Sequence, residues 1–289
     1  MVMKKNIDAM NHPTKVKESI GERIYTIVVY LLLILISATI ILPLLHIISG
    51  SFSDPMQLLT GNVSFWPKGF TTSMYEKVLK DASIWTGYLN TILYTVLGTL
   101  ISVTLTACAA YPLSRKDLFG RNVFISLFIF TMFFNGGMIP TFLVVKSYGL
   151  LNTVWALVLP GAVPIFNVIL VMNFFAAVPK ELEEAAFIDG ANPFQVLTKI
   201  FIPKPVLATV SLFSIVGSWN DFYSGLIYMS KAAYYPLMTY IQSLQINVED
   251  LIKQGNLSAV VDSASLGNTN LNAAKIVIAV IPLLLIYPL

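Results

Sequence analysis

Long apolar stretches without a charged residue dominate this sequence. Four of them contain no Asp, Glu, Lys or Arg and cover residues 24–53, 82–114, 122–145 and 147–179. Each is longer than the roughly 20 residues that a helix needs to cross about 30 Å of hydrocarbon. Buried helices of a large soluble protein seldom run past about 20 residues, so the pattern predicts membrane-spanning helices.

Six membrane helices follow from these stretches and from the apolar segments after them. Their predicted bounds are Ile24–Ile48, Tyr88–Tyr111, Val123–Val145, Thr153–Ala177, Val206–Tyr228 and Ala274–Leu289. The prediction is an all-α polytopic membrane protein, with a cytoplasmic segment of residues 1–23 and one transmembrane domain of residues 24–289. Two motifs, NGGMIP at 135–140 and LPGAVP at 159–164, break the third and fourth helices and either shape a pathway or serve packing.

The composition agrees with a membrane protein and excludes several other classes. Of 289 residues, 56% are hydrophobic and 11% are charged, against about 25% charged in a soluble domain. The net charge of +3 is scattered, so no nucleic-acid partner is predicted. A single cysteine, Cys108, excludes an intrachain disulfide, and its small neighbours predict a packing position between helices. No metal site is predicted, because the two histidines lack ligand-type neighbours.

Lysine and arginine lie mostly on one side of the predicted helices. Eleven of the 18 occur before the first helix and in the loops after the second and fourth helices. The positive-inside rule therefore places both termini and a polar insert, Glu181–Pro203, in the cytoplasm. A polar segment of about twenty residues precedes the first apolar run, which indicates a retained anchor and not a cleaved signal peptide.

Two outward segments are long. The first, Ser49–Gly87, carries Trp66, Pro67 and Trp85, which suit a segment lying along the membrane surface. The second, residues 231–272, ends in SASLGNTNLN at 263–272, and such a small polar run predicts a mobile loop tip.

The polar insert predicts a helix–turn–helix below the membrane, spanning residues 178–205 with its flanks. Three glutamates fill the first helical turn, where carboxylates complement the helix dipole; they are Glu181, Glu183 and Glu184. Gly190 breaks this helix, and Pro193 suits the start of a second one. An amphipathic connector resting on lipid headgroups is the alternative, but the negative cytoplasmic leaflet disfavours an acidic start. A docking surface for a soluble partner fits better.

The spacing within the insert resembles the cytoplasmic signature of binding-protein-dependent ABC importer permeases. That signature is Glu-Ala-Ala, three residues, Gly, nine residues, Ile, one residue and Leu-Pro. This sequence has Glu184, Ala185, Ala186, Gly190, Ile200 and Pro203, with Ile202 where leucine is usual. FNGGMIPTFLVVKSYGLLNT at 134–153 and SWNDF at 218–222 are similar to the carbohydrate-importing branch. That branch includes the smaller maltose permease subunit and permeases for alginate or pectin fragments. Its members usually continue into a basic cytoplasmic tail, whereas this sequence stops at Leu289.

The resemblance implies that the insert couples to a separate ATPase. In the family, this short helix docks into a cleft of the ATPase and moves as the ATPase subunits dimerise around ATP. Glu184 would pair with an ATPase arginine, and Gly190 would supply the turn. The implied coupling residues are Glu184, Ala185, Ala186, Asp189, Gly190, Ala191, Phe194, Ile200 and Pro203. The sequence has no G-x-x-x-x-G-K-[ST] phosphate loop, so ATP and Mg would be bound by the partner ATPase subunits.

The same resemblance implies an assembly in the bacterial cytoplasmic (inner) membrane. Its members would be a second homologous permease subunit, two cytoplasmic ATPase subunits and an extracytoplasmic sugar-binding protein. Alternating access would move an oligosaccharide through the permease pair. Residues near the predicted loop tip would reach into the binding protein, although an ordinary solvated loop is equally compatible; they are Ser263, Ser265, Gly267, Asn268 and Asn270.

Polar residues at membrane depth are candidates for the substrate pathway, because facing lipid is costly for each. Asp221 is foremost, at about 2.5 to 3.5 kcal/mol on the insertion scale for a central position. The candidates are Asn90, Asn135, Asn167, Asn173, Trp219, Asn220, Asp221 and Tyr223. Hydrogen bonds between helices explain such residues equally well.

Three rival functions differ in how well the sequence fits them. An ion-coupled secondary transporter predicts inverted repeats and buried ionisable pairs, which the sequence lacks. An intramembrane enzyme needs a catalytic pair at depth, and none is found, so a non-catalytic subunit is predicted. An ABC importer for a non-sugar solute stays open as an alternative to the oligosaccharide importer.

Overall fold

The computed structural model describes residues 19–202, 205–244 and 268–286. All regular structure in these residues is helical, which confirms the all-α prediction for them. The helices are α1 (Ile20–Ser51), α2 (Pro55–Leu59), α3 (Ser73–Lys80), α4 (Ala82–Ser114), α5 (Arg121–Phe133), α6 (Met138–Ser147), α7 (Val154–Val158), α8 (Ile165–Ala176), α9 (Lys180–Ile188), α10 (Pro193–Val196), α11 (Pro205–Asn220), α12 (Tyr223–Tyr228) and α13 (Asn268–Ile286). A π-helical turn, Leu197–Phe201, continues α10, and residues 237–244 are also helical.

Two of these helices, α1 and α4, are long and apolar enough to cross a membrane unaided. They contain 32 and 33 residues, or roughly 48 to 50 Å at 1.5 Å per residue. The start of α4 lies six residues before the predicted Tyr88, because Asp81 caps it by accepting the Ser83 N–H at 3.0 Å. Trp85, predicted to lie in the outward surface segment, therefore belongs to α4.

The third and fourth predicted helices are interrupted where the sequence indicated. Helices α5 and α6 replace the third and meet at an angle of 110°. Gly137 stands at the break with φ +89°, and the Asn135 side chain accepts its N–H at 2.9 Å. A positive φ of this kind suits glycine. The fourth helix is divided into α7 and α8 by residues 159–164.

The fifth predicted helix, Val206–Tyr228, is wrong as one continuous helix. It is divided into α11 and α12 at Asp221 and Phe222. The Asp221 carboxylate accepts the Ser224 N–H at 3.0 Å, so it satisfies an amide at the start of α12. The break depends on this side-chain cap and needs neither glycine nor proline.

The first described turn of α13 corrects the predicted outer loop. Residues 268–272 are helical, so the loop does not continue to Asn272. If each bent helix pair counts as one span, the described residues provide up to five candidate spans by length and composition. The count of six remains a prediction.

Helix α4 lies at the centre of the packing and contacts α8 and α11 most extensively. One apolar cluster joins the end of α4 to α8, to the π-helical turn and to the start of α11. A second cluster joins α3, the start of α4, residues 237–244 and α13. Ala107 and Ala110 are buried in the first cluster, whereas Cys108 is exposed. The predicted packing position of Cys108 is therefore wrong, because its helical position turns it away from α8 and α11.

Asp81 organises a polar cluster on the side of the second apolar cluster. Its carboxylate accepts hydrogen bonds from the Tyr240 hydroxyl at 2.8 Å and from the Ser83 N–H at 3.0 Å. The Lys275 ammonium lies 3.7 Å from the same carboxylate. The cluster therefore connects the start of α4 to residues 237–244 and to α13.

Acidification is expected to weaken the Asp81 cluster and thereby lower the stability of the fold. Asp81→Asn should remove this dependence of stability on pH. Partial burial alone would raise the pKa of Asp81, but the bonds from Tyr240 and Ser83 and the nearby Lys275 hold the pKa below its usual value. Because the pKa of Asp81 is lower in the folded than in the unfolded chain, the ionised carboxylate stabilises the fold above about pH 4. This contribution to stability is lost as the pH falls through the lowered pKa. The contribution is less than about 1 kcal/mol because the carboxylate is partly exposed.

Melting temperatures in lipid nanodiscs between pH 7 and pH 3 measure this effect. Wild type should lose more stability on acidification than Asp81→Asn does. Asp54→Asn is the matched control, since Asp54 also caps a helix by accepting the Met56 N–H at 2.9 Å. Parallel pH curves for wild type and Asp81→Asn would contradict the assignment.

Candidate functional site

The polar insert folds into an elbow, defined here as α9, the turn after it, α10 and the π-helical turn. Helix α8 ends at Ala176, and α9 leaves it at an angle of 76° after Pro179. Gly190 makes the turn with φ +81°, a left-handed value that few other residues adopt readily. The predicted helix–turn–helix is thus confirmed as local structure.

The start of α10 is specified by its own side chains. Asn192 accepts the Gln195 N–H at 2.9 Å, and the Gln195 side chain accepts the Asn192 N–H at 2.9 Å. This reciprocal arrangement is a capping box. Pro193 occupies the first helical position, where its missing N–H has no cost. The local sequence therefore fixes both ends of the turn.

A partly buried ion pair joins the elbow to the membrane helices. Glu183 is 6% exposed and pairs with Arg115, which directly follows α4. Arg115 also donates to the Tyr111 hydroxyl at 2.8 Å and lies 4.7 Å above the centre of that ring. The Phe201 ring packs edge-on against Tyr111 at 5.1 Å between centroids. The elbow is thereby tied to α4 at both of its helices.

The resemblance implied an ionic contact for Glu184, to an ATPase arginine, whereas the pair of Glu183 with Arg115 within this chain was not predicted. Arg115 lies in a different loop, so no local pattern pairs it with Glu183. The only available signal was the concentration of basic residues in the loop after the second predicted helix. Such a concentration equally reflects the positive-inside rule.

The elbow also exposes several large apolar side chains. Ile188 is 86% exposed and Phe194 is 71% exposed, while Leu182 and Phe187 are also exposed. Exposed large apolar side chains on an otherwise polar segment are a common feature of protein-binding surfaces. Phe194, Leu197, Ile200 and Phe201 recur at helical spacing in the sequence, but Phe194 is exposed, whereas Leu197 and Phe201 are buried.

The predicted coupling residues divide between the surface and the packed side of the elbow. Glu184, Ala185, Asp189 and Gly190 are exposed. Three others pack against the apolar cluster of α4, α8 and α11; they are Ala186, Ala191 and Ile200. Pro203 lies outside the described residues.

A cavity of about 350 Å³ lies among α4, α8, α11 and the break between α7 and α8. Of the predicted pathway residues, only Asn167 and Asp221 line it. Its other polar lining residues are Thr91, Tyr94, Ser102, Ser214 and Ser218. Asn167 is 6% exposed. The structure thus brings a buried amide, a carboxylate and several hydroxyls around one space.

The remaining predicted pathway residues lie elsewhere, and several have partners within the chain. The Asn90 amide donates to the Ala233 carbonyl at 2.9 Å and to the Tyr235 carbonyl at 3.1 Å. Trp219 is buried and donates to the Ala279 carbonyl at 3.2 Å. Such bonds between segments match the structural alternative raised by the sequence.

Four other candidates are exposed in this chain. Asn220 donates to the Val216 carbonyl at 2.9 Å, one turn back in its own helix. Asn135 accepts the Gly137 N–H at the α5–α6 break. Tyr223 contacts Met138, and Asn173 is exposed on α8.

The predicted loop-tip residues are only partly described. Ser263, Ser265 and Gly267 lie outside the described residues, and Asn268 begins α13. Asn270 is 1% exposed and donates to the carbonyls of Gly50 at 2.9 Å and Ser53 at 2.8 Å. Its amide is engaged inside the chain and is not displayed at a loop tip.

No family model matches the chain. The similar proteins, however, agree with one another. Protein LplC of Bacillus subtilis (strain 168) is 41% identical over 255 residues, or 88% of this chain and 85% of that protein. The polygalacturonan/rhamnogalacturonan transport system permease protein YtcP of the same organism is 37% identical over 92% of this chain and 93% of its own length.

A solved structure agrees with these relatives. It is a bacterial ABC transporter involved in the import of the acidic polysaccharide alginate. One of its chains is 34% identical, with a TM-score of 0.84, and the match covers 95% of this chain and 98% of that chain. The chain described here belongs to the permease subunits of carbohydrate ABC importers.

Proposed function

We propose that this chain is one of two permease subunits in an importer that passes oligosaccharides inward at the expense of ATP. An extracytoplasmic binding protein delivers the sugar. Relatives support the substrate class: YtcP is named for polygalacturonan and rhamnogalacturonan, and the solved relative imports alginate. The elbow, with its exposed acidic and apolar side chains, is the observation that carries the proposed coupling to an ATPase.

The proposed topology has six spans in the bacterial cytoplasmic membrane, with both termini in the cytoplasm. The distribution of lysine and arginine supports it, because eleven of the 18 fall on the side of the insert. The angle of 76° between α8 and α9 supports it as well. Such a turn allows α9 to lie across the mouth of the bundle instead of continuing through the bilayer.

Coupling requires a surface to which an ATPase binds and a contact that transmits the movement of the ATPase to the membrane helices. Exposed Glu184, Ile188 and Phe194 supply the first, since apolar anchors beside a charge are typical of binding surfaces. Glu183 and Arg115 supply the second by joining α9 to α4. Movement of two ATPase subunits around ATP and Mg would then displace α4 together with the elbow.

Alternating access follows if the ATP-bound ATPase pair and the loaded binding protein favour the outward-facing permease pair. A ligand shifts a conformational equilibrium only by its difference in affinity for the two states. The second permease subunit completes the pathway that this chain lines on one side.

Purification of the intact complex tests this function directly. The chain, tagged in its host, should co-purify with a nucleotide-binding subunit, a second permease and a sugar-binding protein. In liposomes, some members of an oligosaccharide panel should stimulate ATP hydrolysis and accumulate inside. Uptake by this chain alone without nucleotide would instead indicate a secondary transporter.

Cysteine labelling is expected to place the elbow on the cytoplasmic face. Ile188→Cys in a Cys108→Ser background introduces one thiol at a residue that is 86% exposed. A membrane-impermeant maleimide should label it in inside-out vesicles and leave it unmodified in intact cells. Bound ATPase should slow the reaction, because Ile188 lies on the proposed contact surface.

A cysteine at Trp66 serves as the opposite control, since Trp66 is exposed on the proposed outer segment. It should react in intact cells and not in sealed inside-out vesicles. Labelling of Ile188→Cys from the cell exterior would refute the topology and the coupling role together.

A further inference from the structure

The second helix of the elbow ends in the π-helical turn, Leu197–Phe201. The Ile202 N–H donates to the Leu197 carbonyl at 2.9 Å, five residues back, where an α-helix would bond it to Thr198. The turn therefore contains one residue more than a turn of α-helix. Because consecutive α-helical residues differ in direction by about 100°, the extra residue changes the direction in which Phe201 points. Single π-helical turns are rare overall but are frequently found at functional sites.

Phe201 packs against two membrane helices at once. The residue is 2% exposed. Its ring lies edge-on to Tyr111 of α4 and to Phe175 of α8, with centroid distances of 5.1 and 5.0 Å and interplanar angles of 66° and 68°. Edge-on rings about 4.5–7 Å apart attract each other beyond the effect of burial. We call these three rings the aromatic hub.

The aromatic hub is continuous with the ion pair of the first elbow helix. The Tyr111 hydroxyl donates to the Glu183 carboxylate at 3.3 Å. The Arg115 guanidinium lies 4.7 Å from the centre of the Tyr111 ring and 5.8 Å from that of Phe201, within the roughly 6 Å reach of a cation–π contact. The first elbow helix is thus joined to α4, and Phe201 joins the second one to α4 and α8 together.

The importer signature assigns no role to Phe201. One residue of any type separates the isoleucine of the signature, here Ile200, from the Leu-Pro pair, and Phe201 occupies that position. Filling space in the apolar cluster would require only a large apolar side chain. Two edge-on contacts and a guanidinium near the ring depend on an aromatic side chain.

We infer that Phe201 is a positioning residue for coupling, which holds the elbow against the ends of α4 and α8 so that both helices follow when an ATPase moves the elbow. The inference rests on the proposed importer function. It adds a second attachment to the pair of Glu183 with Arg115, and it brings α8 into the movement. Phe201 acts through these helices, since it lies neither on the exposed surface of the elbow nor at the cavity.

Replacement of the ring tests this role in the complete complex, reconstituted in liposomes with the second permease, the ATPase subunits and the binding protein. Phe201→Leu keeps a large apolar side chain but loses both edge-on contacts. The ratio of sugar transported to ATP hydrolysed should fall by about twofold to tenfold, the range that corresponds to the loss of one such contact. Capture of the ATPase should stay near wild type, because Ile188 and Phe194 remain exposed.

The transported sugars are tritiated tetrasaccharides of polygalacturonan, rhamnogalacturonan and alginate, the polymers named for the relatives. The ratio is measured with each one that the wild-type complex accumulates. Melting temperature and complex yield are recorded for every variant. A residue that serves folding alone would change the melting temperature and leave the ratio of sugar to ATP as it is.

Two further substitutions separate coupling from packing. Phe175→Leu removes the α8 side of the aromatic hub and leaves the elbow sequence unchanged, so it should lower the ratio even if Phe201→Leu does not assemble. The double variant should be no worse than Phe201→Leu alone, because the two substitutions remove one shared contact. Val171→Ala is the matched control, since Val171 is completely buried in the same cluster on α8 but carries no ring. It should lower the melting temperature and keep the ratio near wild type.

The possible results separate this inference from the proposed function. A wild-type ratio in both Phe201→Leu and Phe175→Leu would overturn the inference, as would an equal fall of the ratio in Val171→Ala. Loss of ATPase capture in Phe201→Leu would also overturn it, because the residue would then belong to the docking surface. In each of these cases ATP-driven uptake by wild type leaves the importer function standing. Absence of ATP-driven uptake of any oligosaccharide by wild type would refute the importer function itself.

Discussion

ATP-driven uptake is expected to stop when Glu184 is replaced by lysine, while the chain still inserts into the membrane. Glu184 is exposed on α9 and has no hydrogen bond or ion pair within the described residues, so the substitution leaves the packing of the elbow intact. The proposed partner is an arginine of the ATPase. Reversal of one charge in such a pair replaces attraction by repulsion, which costs several kcal/mol of binding.

Three measurements distinguish this effect from misfolding. Uptake into proteoliposomes should fall to background, and capture of the ATPase subunit should weaken at least about a hundredfold, as several kcal/mol predicts. The melting temperature should match wild type. Glu181→Lys is the control, because Glu181 is exposed in the first turn of the same helix but lies outside the matched motif. Normal transport by Glu184→Lys would eliminate its coupling role.

Glu183→Gln is expected to uncouple ATP hydrolysis from uptake. The substitution removes the charge that Arg115 pairs with, although the amide still fits the same space. Loss of one partner from a fully buried pair costs about 3–5 kcal/mol. Arg115 retains 27% of its side-chain exposure, so screening reduces the expected cost to about 1–2 kcal/mol. The ATPase surface of the elbow stays in place, but its attachment to α4 is loosened.

The ratio of sugar transported to ATP hydrolysed is the decisive measurement. In Glu183→Gln it should fall several-fold, while ATPase capture stays near wild type; Glu184→Lys should show the reverse pattern of lost capture. The exchanged pair Arg115→Glu with Glu183→Arg should recover part of the ratio. An unchanged ratio in Glu183→Gln, or an exchanged pair no better than either single variant, would show that the contact serves folding alone.

The sequence located the helices well because hydrocarbon burial depends on local composition. Charge-free stretches gave α1 and α4, and glycine with proline gave the breaks before α6 and α8. The break at Asp221 was missed, since the apolar pattern continues on both sides and the interruption depends on a carboxylate bonded to the Ser224 amide. A side-chain cap within an apolar run has no periodic signature.

The candidate site was likewise predictable only where its shape depends on local residues. Gly190 and Pro193 specify the turn of the elbow locally, so its shape followed from the sequence. The sequence did not show that Glu183 is buried while Glu184 is exposed, because the side chains of consecutive helical residues differ in direction by about 100°. Which of them faces the core depends on how α9 is rotated against α4. The same rotation explains why Cys108 is exposed beside a buried Ala107.

Asn270 joins α13 to the end of α1 by two hydrogen bonds. The carbonyls of Gly50 and Ser53, at the end of α1, receive the Asn270 amide hydrogens across more than two hundred residues. Carbonyls at a helix end need partners from outside the helix. During biosynthesis α1 therefore leaves the ribosome long before Asn270 is made, and these two hydrogen bonds form only after α13 has been synthesised.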